Sequence, residues 1–234
     1  MNSLDSSKKV NIAITGAKGT IGSILQEGLT DFDITPLDLP DVDVGNLDQM
    51  VKVLAGQSAV IHLAWNYGAE DLSSGQINPD NYLMTCSVYE SARRAKVKRV
   101  IMASSVHAHR YSNLKEGELL STDQVPLPDS LYGASKVFVE ALGRYYAKNG
   151  LEVICLRFGR VRKNDDPGID EPQERIVWLS KSDARGLIRK CLTIKEVPNS
   201  FALVNAVSDN TDRVHDVSNP FGWVPRDNYK NTFR

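Results

Sequence analysis

Residues 10–22 read VNIAITGAKGTIG, and the expected fold follows from this stretch. Residues 10–15 form a short, β-branched apolar run that ends at a glycine, which is typical of a buried strand. Residues 20–29 then place apolar side chains on one face of a predicted helix. The junction between strand and helix carries three glycines in a G-x-x-G-x-x-G loop: Gly16, Gly19 and Gly22.

This glycine loop has the physical properties of a dinucleotide-binding loop. Glycine lets the backbone turn tightly and approach a pyrophosphate, whose negative charge meets the N-terminus of the following helix. The flanking strand and helix separate such a loop from an ordinary turn. A P-loop is excluded, because it ends in Gly-Lys-Ser/Thr and Lys18 comes too early. The expected cofactor contacts lie in the loop, at the helix start and at the end of the third predicted strand: Gly16, Gly19, Thr20, Ile21, Gly22, Leu63 and Ala64.

The rest of the chain alternates predicted strands with predicted helices. Further strands are predicted at residues 34–37, 59–64, 100–103, 151–158 and 201–204, and helices at 47–54, 81–96, 131–148 and 182–194. This alternation predicts an α/β fold, a Rossmann-like doubly wound parallel sheet with a small C-terminal substrate-binding portion. Ligands bind beyond the carboxyl ends of such strands, which here end at Thr15, Ala64, Ala103 and Phe158.

The domain organisation is expected to be simple. Residues 1–9 are polar, do not resemble a signal peptide and are predicted to form a disordered tail. Residues 10–158 are predicted to form the dinucleotide-binding Rossmann domain, which also contains the candidate catalytic residues Tyr132 and Lys136. Residues 159–234 are predicted to form the small substrate-binding portion that completes the same fold. His62 lies inside a predicted strand and is expected to be a packed core histidine rather than a ligand.

Composition limits the classes of partner. With 28 basic and 29 acidic residues, the chain is not expected to bind nucleic acid or an anionic membrane surface. No apolar run approaches the ~18 residues that span a bilayer. The cysteines show no metal-ligand spacing, and we expect buried, reduced thiols and a cytoplasmic location. They are Cys86, Cys155 and Cys191.

Asp38 predicts which dinucleotide is bound. It lies 22 residues after Gly16 (38 − 16), close to the usual position of the acid that binds the ribose hydroxyls. A carboxylate there repels a 2′-phosphate, and the neighbouring Leu39 offers no positive charge, so NAD is predicted over NADP. Asp43 and Val44 could frame the adenine, although a solvated turn explains Asp43 equally well.

Tyr132 and Lys136 are the candidate catalytic pair. They stand four residues apart on a predicted helix and therefore share a face. A phenol in water ionises only near pH ~10, but an ammonium group and a positive nicotinamide ring both favour the phenolate. The phenolate can then accept a proton from a substrate hydroxyl. Ser104 and Ser105 follow the predicted strand that ends at Ala103, where a serine hydroxyl could bond the reacting oxygen.

The order of these residues resembles that of the extended short-chain dehydrogenase/reductase superfamily, and more narrowly that of the uronate dehydrogenases. The resemblance runs over nearly the whole chain. It includes HLA at 62–64, ASSVH at 103–107, LYGASK at 131–136 and, within 205–233, NPFGWVPRDN at 219–228.

The resemblance implies a role for each matching residue. It makes Tyr132 the base and Lys136 the residue that activates it and holds the nicotinamide ribose. It further implies that Ser105 orients the substrate, that Asn81 supports a water relay and that His107 contacts the substrate. It assigns the sugar carboxylate to Arg175, a side chain whose planar fork suits a carboxylate. A loop residue without a ligand remains open for His107, and a surface arginine for Arg175.

Two departures from the family pattern put the exact sugar in doubt. Arg160 stands where the family has a small hydroxyl residue, and Trp65-Asn66 stands where it has small residues.

The leading hypothesis is NAD-dependent oxidation of a sugar or uronic acid at its C1 hydroxyl to a lactone. The alternatives are a nucleotide-sugar epimerase or dehydratase that retains NAD, which the 98 residues after Lys136 (234 − 136) disfavour, and a non-catalytic NAD sensor. A homo-oligomer, dimer or larger, is expected from the family.

Overall fold

The computed structural model describes residues 9–67, 76, 78–112, 114 and 117–232. Within these residues six parallel strands form one sheet in the order β2-β1-β3-β4-β5-β6. The strands are β1 Val10–Thr15, β2 Phe32–Leu37, β3 Ala59–His62, β4 Arg99–Ser105, β5 Glu152–Phe158 and β6 Phe201–Ala206. The helices are α1 Thr20–Gly28, α2 Leu47–Val53, α3 Pro79–Arg94, α4 Leu131–Ala147, α5 Pro172–Arg175, α6 Lys181–Thr193 and α7 Tyr229–Thr232.

The predicted doubly wound parallel sheet is confirmed, and helices cover both of its faces. On β1, Ile12 and Ile14 pack into the core on the side of α1 and α6. Ala13 points to the opposite face, where it joins Val88 of α3 and Val139 of α4. Because both faces are covered, the strands are mostly apolar, which is the pattern that identified them in the sequence.

The ends of several elements differ from the sequence-based boundaries. β4 was expected to end at Ala103, but it continues through Ser104 and Ser105, which pair with the end of β5. The extension is possible because both buried hydroxyl groups have hydrogen-bond partners, Ser104 in the carboxylate of Glu140 and Ser105 in the backbone nitrogen of His107. β3, in contrast, ends at His62 rather than at Ala64. The residues after His62 instead leave the sheet and line the cleft.

The expectation that all three cysteines are buried is confirmed for two of them. Cys155 and Cys191 are buried free thiols, but Cys86 lies on an exposed position of α3, so its predicted burial was wrong.

The predicted tail falls outside the described residues except for Lys9, as does Phe233 of the family-like segment. The division at residue 158 stays a prediction, and β6 pairs with β5 across it. No helix among the described residues is both long and apolar enough to cross a membrane.

The strand order places a cleft at the carboxyl ends of the strands. β1 lies between β2 and β3, so the chain runs outward from β1 to β2 and then back past β1 to β3. A crevice opens at such a reversal point, which is where doubly wound sheets bind their ligands.

Candidate active site

The glycine loop is built so that only glycine fits its critical positions. Gly16 has φ +68°, and a Cβ on it would lie 2.6 Å from the backbone nitrogen of Ala64. A Cβ on Gly22 would lie 2.4 Å from the carbonyl oxygen of Gly16. Gly19 caps α1 without a side-chain hydrogen bond. The amide groups at the start of this helix therefore stay open to an anion.

Asp38 lies at the tip of β2 and faces the same cleft. Its Oδ2 accepts a hydrogen bond of 2.8 Å from the backbone nitrogen of Lys18. The Lys18 ammonium donates to the carbonyl oxygen of Leu39 at 3.0 Å. A positive charge therefore stands beside Asp38 in space, although the sequence neighbours of Asp38 offered none. Asp43 accepts a bond of 2.9 Å from the nitrogen of Gly45, as a turn residue does.

A single cavity of about 1390 Å³ connects these residues with the catalytic pair. This volume exceeds the ~300–1,000 Å³ typical of a pocket for one small ligand. The open helix start, the close glycine backbone and the cavity together fit a dinucleotide and leave room for a second molecule. Every residue predicted to contact the cofactor lines this cavity: Gly16, Gly19, Thr20, Ile21, Gly22, Asp38, Asp43, Val44, Leu63, Ala64, Tyr132 and Lys136.

Tyr132 and Lys136 lie in the first two turns of α4 and line the same cavity as Asp38. Ser130 caps this helix by accepting a hydrogen bond of 3.0 Å from the nitrogen of Gly133. The Lys136 ammonium donates to the carbonyl oxygen of Ala103 at 3.2 Å and lies 5.5 Å from the centroid of the Tyr132 ring. The pair therefore shares one wall of the cleft, as its spacing predicted.

A buried ion pair anchors α4 behind the catalytic pair. Glu140, one turn after Lys136, accepts hydrogen bonds of 2.8 Å from both Nε and Nη2 of Arg157 on β5. Ser104 of β4 donates to the same carboxylate at 2.5 Å. Sequence reasoning missed this network. Its available signal was an arginine inside an otherwise apolar strand, since a buried arginine requires an acidic partner.

Ser105 and His107 lie on the wall of the cavity close to Tyr132. Ser105 Oγ accepts from the backbone nitrogen of His107 at 3.3 Å, and the His107 ring centroid lies 6.0 Å from that of Tyr132. His107 Nδ1 hydrogen-bonds Asp129 Oδ2 at 2.8 Å. Partial burial opposes ionisation of Asp129, yet its bond to His107 holds the pKa of Asp129 below the usual value. Asp129 was not predicted.

Trp65 and Tyr67 form an aromatic wall over the catalytic pair. The Lys136 ammonium lies 3.1 Å from the centroid of the Trp65 ring, a cation–π contact. The hydroxyl of Tyr67 lies 3.5 Å from that of Tyr132. Asn81 is buried and holds this segment through the backbone of Asn66, with bonds of 2.8 and 3.0 Å. The water relay expected at Asn81 stays a prediction.

The sequence places this site within a known family. Residues 12–162 match the model of the NAD dependent epimerase/dehydratase family. The chain belongs to this family. It is 34% identical to an L-arabinose 1-dehydrogenase (NAD(P)(+)) from Haloferax volcanii, over 93% of this chain and 96% of that protein. It is 29% identical to a uronate dehydrogenase from Pseudomonas syringae pv. tomato, over 85% of this chain and 74% of that protein.

A solved structure shares the fold. A crystal structure of a mutant uronate dehydrogenase from Agrobacterium tumefaciens complexed with NAD superposes with a TM-score of 0.81 at 26% identity. The alignment covers 95% of this chain and 87% of that one. The resemblance to the extended superfamily and to uronate dehydrogenases is thereby confirmed.

Two residues singled out in the sequence, Arg175 and His62, do not line the cavity. Arg175 is not among the described residues that line the cavity; its guanidinium contacts Asp212 at 3.9 Å and lies 5.4 Å from the Tyr229 ring. Its role at a sugar carboxylate stays a prediction. His62 is buried, as expected, with Nδ1 2.7 Å from the hydroxyl of Thr15. Burial, and then the nearby Lys136 ammonium, lower the pKa of His62 to about 3.

Proposed function

We propose that this protein is an NAD-dependent dehydrogenase that oxidises the C1 hydroxyl of a free sugar or uronic acid to a lactone. The observation that carries the proposal is that Tyr132, Lys136 and Ser105 line the same cavity as the glycine loop and Asp38. The two relatives named above, which are sugar and uronate dehydrogenases, support the reaction type. Their high coverage also disfavours the nucleotide-sugar epimerase as an alternative.

The chain's own residues supply the acid–base part of the reaction. Bound NAD⁺ accepts the hydride. The Tyr132 phenolate accepts the proton of the C1 hydroxyl, and the Lys136 ammonium on the next turn favours that phenolate. The Ser105 hydroxyl donates a hydrogen bond to the reacting oxygen and stabilises the charge that develops on it. Asn81 keeps the Trp65-to-Tyr67 segment in place through the Asn66 backbone.

The remaining predicted properties belong to the same proposal. His107 contacts the sugar from the cavity wall, where Asp129 orients its ring. Asp38 favours NAD by binding the ribose hydroxyls. The enzyme works in the cytoplasm as a dimer or larger homo-oligomer, and neither nucleic acid nor membrane is a partner.

Steady NADH formation from free sugars tests the proposal. The purified protein is incubated with NAD and a panel of aldoses and uronates, and NADH absorbance is followed. We expect at least one sugar to be oxidised, and Tyr132→Phe to lower kcat by roughly 100-fold or more while NAD binding is retained. Absence of NADH with every sugar, with turnover of a nucleotide-sugar instead, would assign the epimerase reaction. Full activity of the phenylalanine variant would remove Tyr132 as the base.

A further inference from the structure

Two of the basic side chains at the sugar end of the cavity, His107 and Arg160, each contact a carboxylate. Apart from the tyrosines, the described residues that line this end include four basic or acidic side chains: His107, Lys136, Arg160 and Glu174. Lys136 belongs to the catalytic pair, and His107 is bonded to Asp129. Arg160 forms an ion pair with Glu174, with 3.0 Å between Nε and Oε2.

The Arg160–Glu174 pair is held in place by backbone structure on both sides. The backbone nitrogen of Arg160 donates to the carbonyl oxygen of Val177 at 2.8 Å, and the carbonyl oxygen of Arg160 accepts from the backbone nitrogen of Leu179 at 2.9 Å. Glu174 belongs to α5, and its carbonyl oxygen accepts a hydrogen bond of 3.2 Å from the backbone nitrogen of Val177. The side chains are 52% and 35% exposed and both residues line the cavity, although Oε2 of Glu174, the atom next to Arg160, is itself buried.

Among the described residues, the other arginines close to this pair either are paired with carboxylates or do not line the cavity. Arg162 Nη2 lies 4.0 Å from Glu174, but Arg162 binds Asp166 and Glu171 at 3.0 and 2.6 Å. Arg175 donates to the carbonyl of Ile169 at 3.2 Å; its buried Nε has no hydrogen-bond partner in the described part of the chain, but the residue does not line the cavity.

On the basis of the proposed dehydrogenase activity, we propose that Glu174 is a specificity-determining residue that favours a neutral aldose over a uronate. A uronate carboxylate that approaches Arg160 must share its guanidinium with Glu174, and two carboxylates at this distance repel each other. A neutral sugar meets no such repulsion, because its hydroxyls can donate to Glu174 and accept from Arg160. The pair is partly exposed, so solvent screens the effect to about tenfold in kcat/KM.

Matched sugar pairs isolate the charge. D-Galactose and D-galacturonate, like D-glucose and D-glucuronate, differ only in a hydroxymethyl group against a carboxylate at C6. Each sugar is measured as a substrate, or as a competitive inhibitor of the best substrate found. In the wild type we expect the neutral member to be preferred by about tenfold. Glu174→Gln should raise the preference for the uronate about tenfold and change the neutral sugar little, because Arg160 then lacks its counter-charge.

Two further variants assign the effect to the pair. Arg160→Ala added to Glu174→Gln should abolish the gain for the uronate. Glu171→Gln is the control, because it removes a neighbouring negative charge that pairs with Arg162 and does not line the cavity; it should leave the preference unchanged.

A wild-type enzyme that handles the uronate as well as its neutral partner would overturn the inference without any variant. An equal effect of Glu174→Gln on both sugars, or an equal gain in the Glu171 control, would overturn it too. Absence of NADH with every sugar would instead reject the proposed dehydrogenase itself.

Discussion

Substituting Glu140→Gln should remove much of the stability of the fold, because Glu140 is the counter-charge of a buried arginine. The side chains of Arg157 and Glu140 are only 2% and 4% exposed. Removing one charge of a buried pair costs about 3–5 kcal/mol, since the other charge remains in a low-dielectric interior. A protein of this size loses roughly 2–4 °C of Tm per kcal/mol, so Tm should fall by roughly 6–20 °C.

Urea unfolding followed by circular dichroism measures this loss, and two variants control it. Glu90→Gln breaks the exposed pairs with Arg93 and Arg94, whose side chains are 46% and 48% exposed, and should cost at most about 1 kcal/mol. Replacing both members of the buried pair by methionine should cost less than the sum of the two single changes, because no charge is then left unpaired. A loss below about 1 kcal/mol in Glu140→Gln, similar to that of the control, would refute the reasoning.

Two other perturbations have clear signs. Asp38→Ala should lower kcat/KM with NAD about tenfold and raise it with NADP about tenfold, because the carboxylate is lost while the Lys18 ammonium remains; Asp41→Ala, outside the cavity lining, should change neither. Burial, as the main cause, lowers the pKa of His62 and of His215 from 6.5 to about 3. The unfolded chain therefore binds more protons between these values. Stability should fall as pH drops from 6.5 towards 3, by at most about 1.4 kcal/mol per pH unit for each histidine; a flat pH profile of urea unfolding would contradict both assignments.

The parts of the fold that were predictable from sequence are those whose cause is local. The glycine loop is recognisable because a tight turn, an open helix start and a close backbone approach all require glycine within seven residues, Gly16 to Gly22. The strands are recognisable because covered faces demand apolar side chains. The predicted end of β4 was wrong because the interaction that extends the strand is distant in sequence. Ser104 continues the strand and donates to Glu140, which is 36 residues away.

The same distinction separates the predicted from the missed site residues. Tyr132 and Lys136 share a helix face by spacing alone, so their common position in the cleft follows from the sequence. Asp129 contacts His107, which is 22 residues away in the chain. Glu174 contacts Arg160, and no repeat or motif in the sequence predicts this contact. A motif therefore specifies the hydride chemistry that the family shares. The charge of the accepted sugar depends on ion pairs that only the folded chain brings together. Arg160 was recognised in the sequence only as a departure from the family pattern, and its proposed effect on the substrate can be tested because the structure places it beside Glu174.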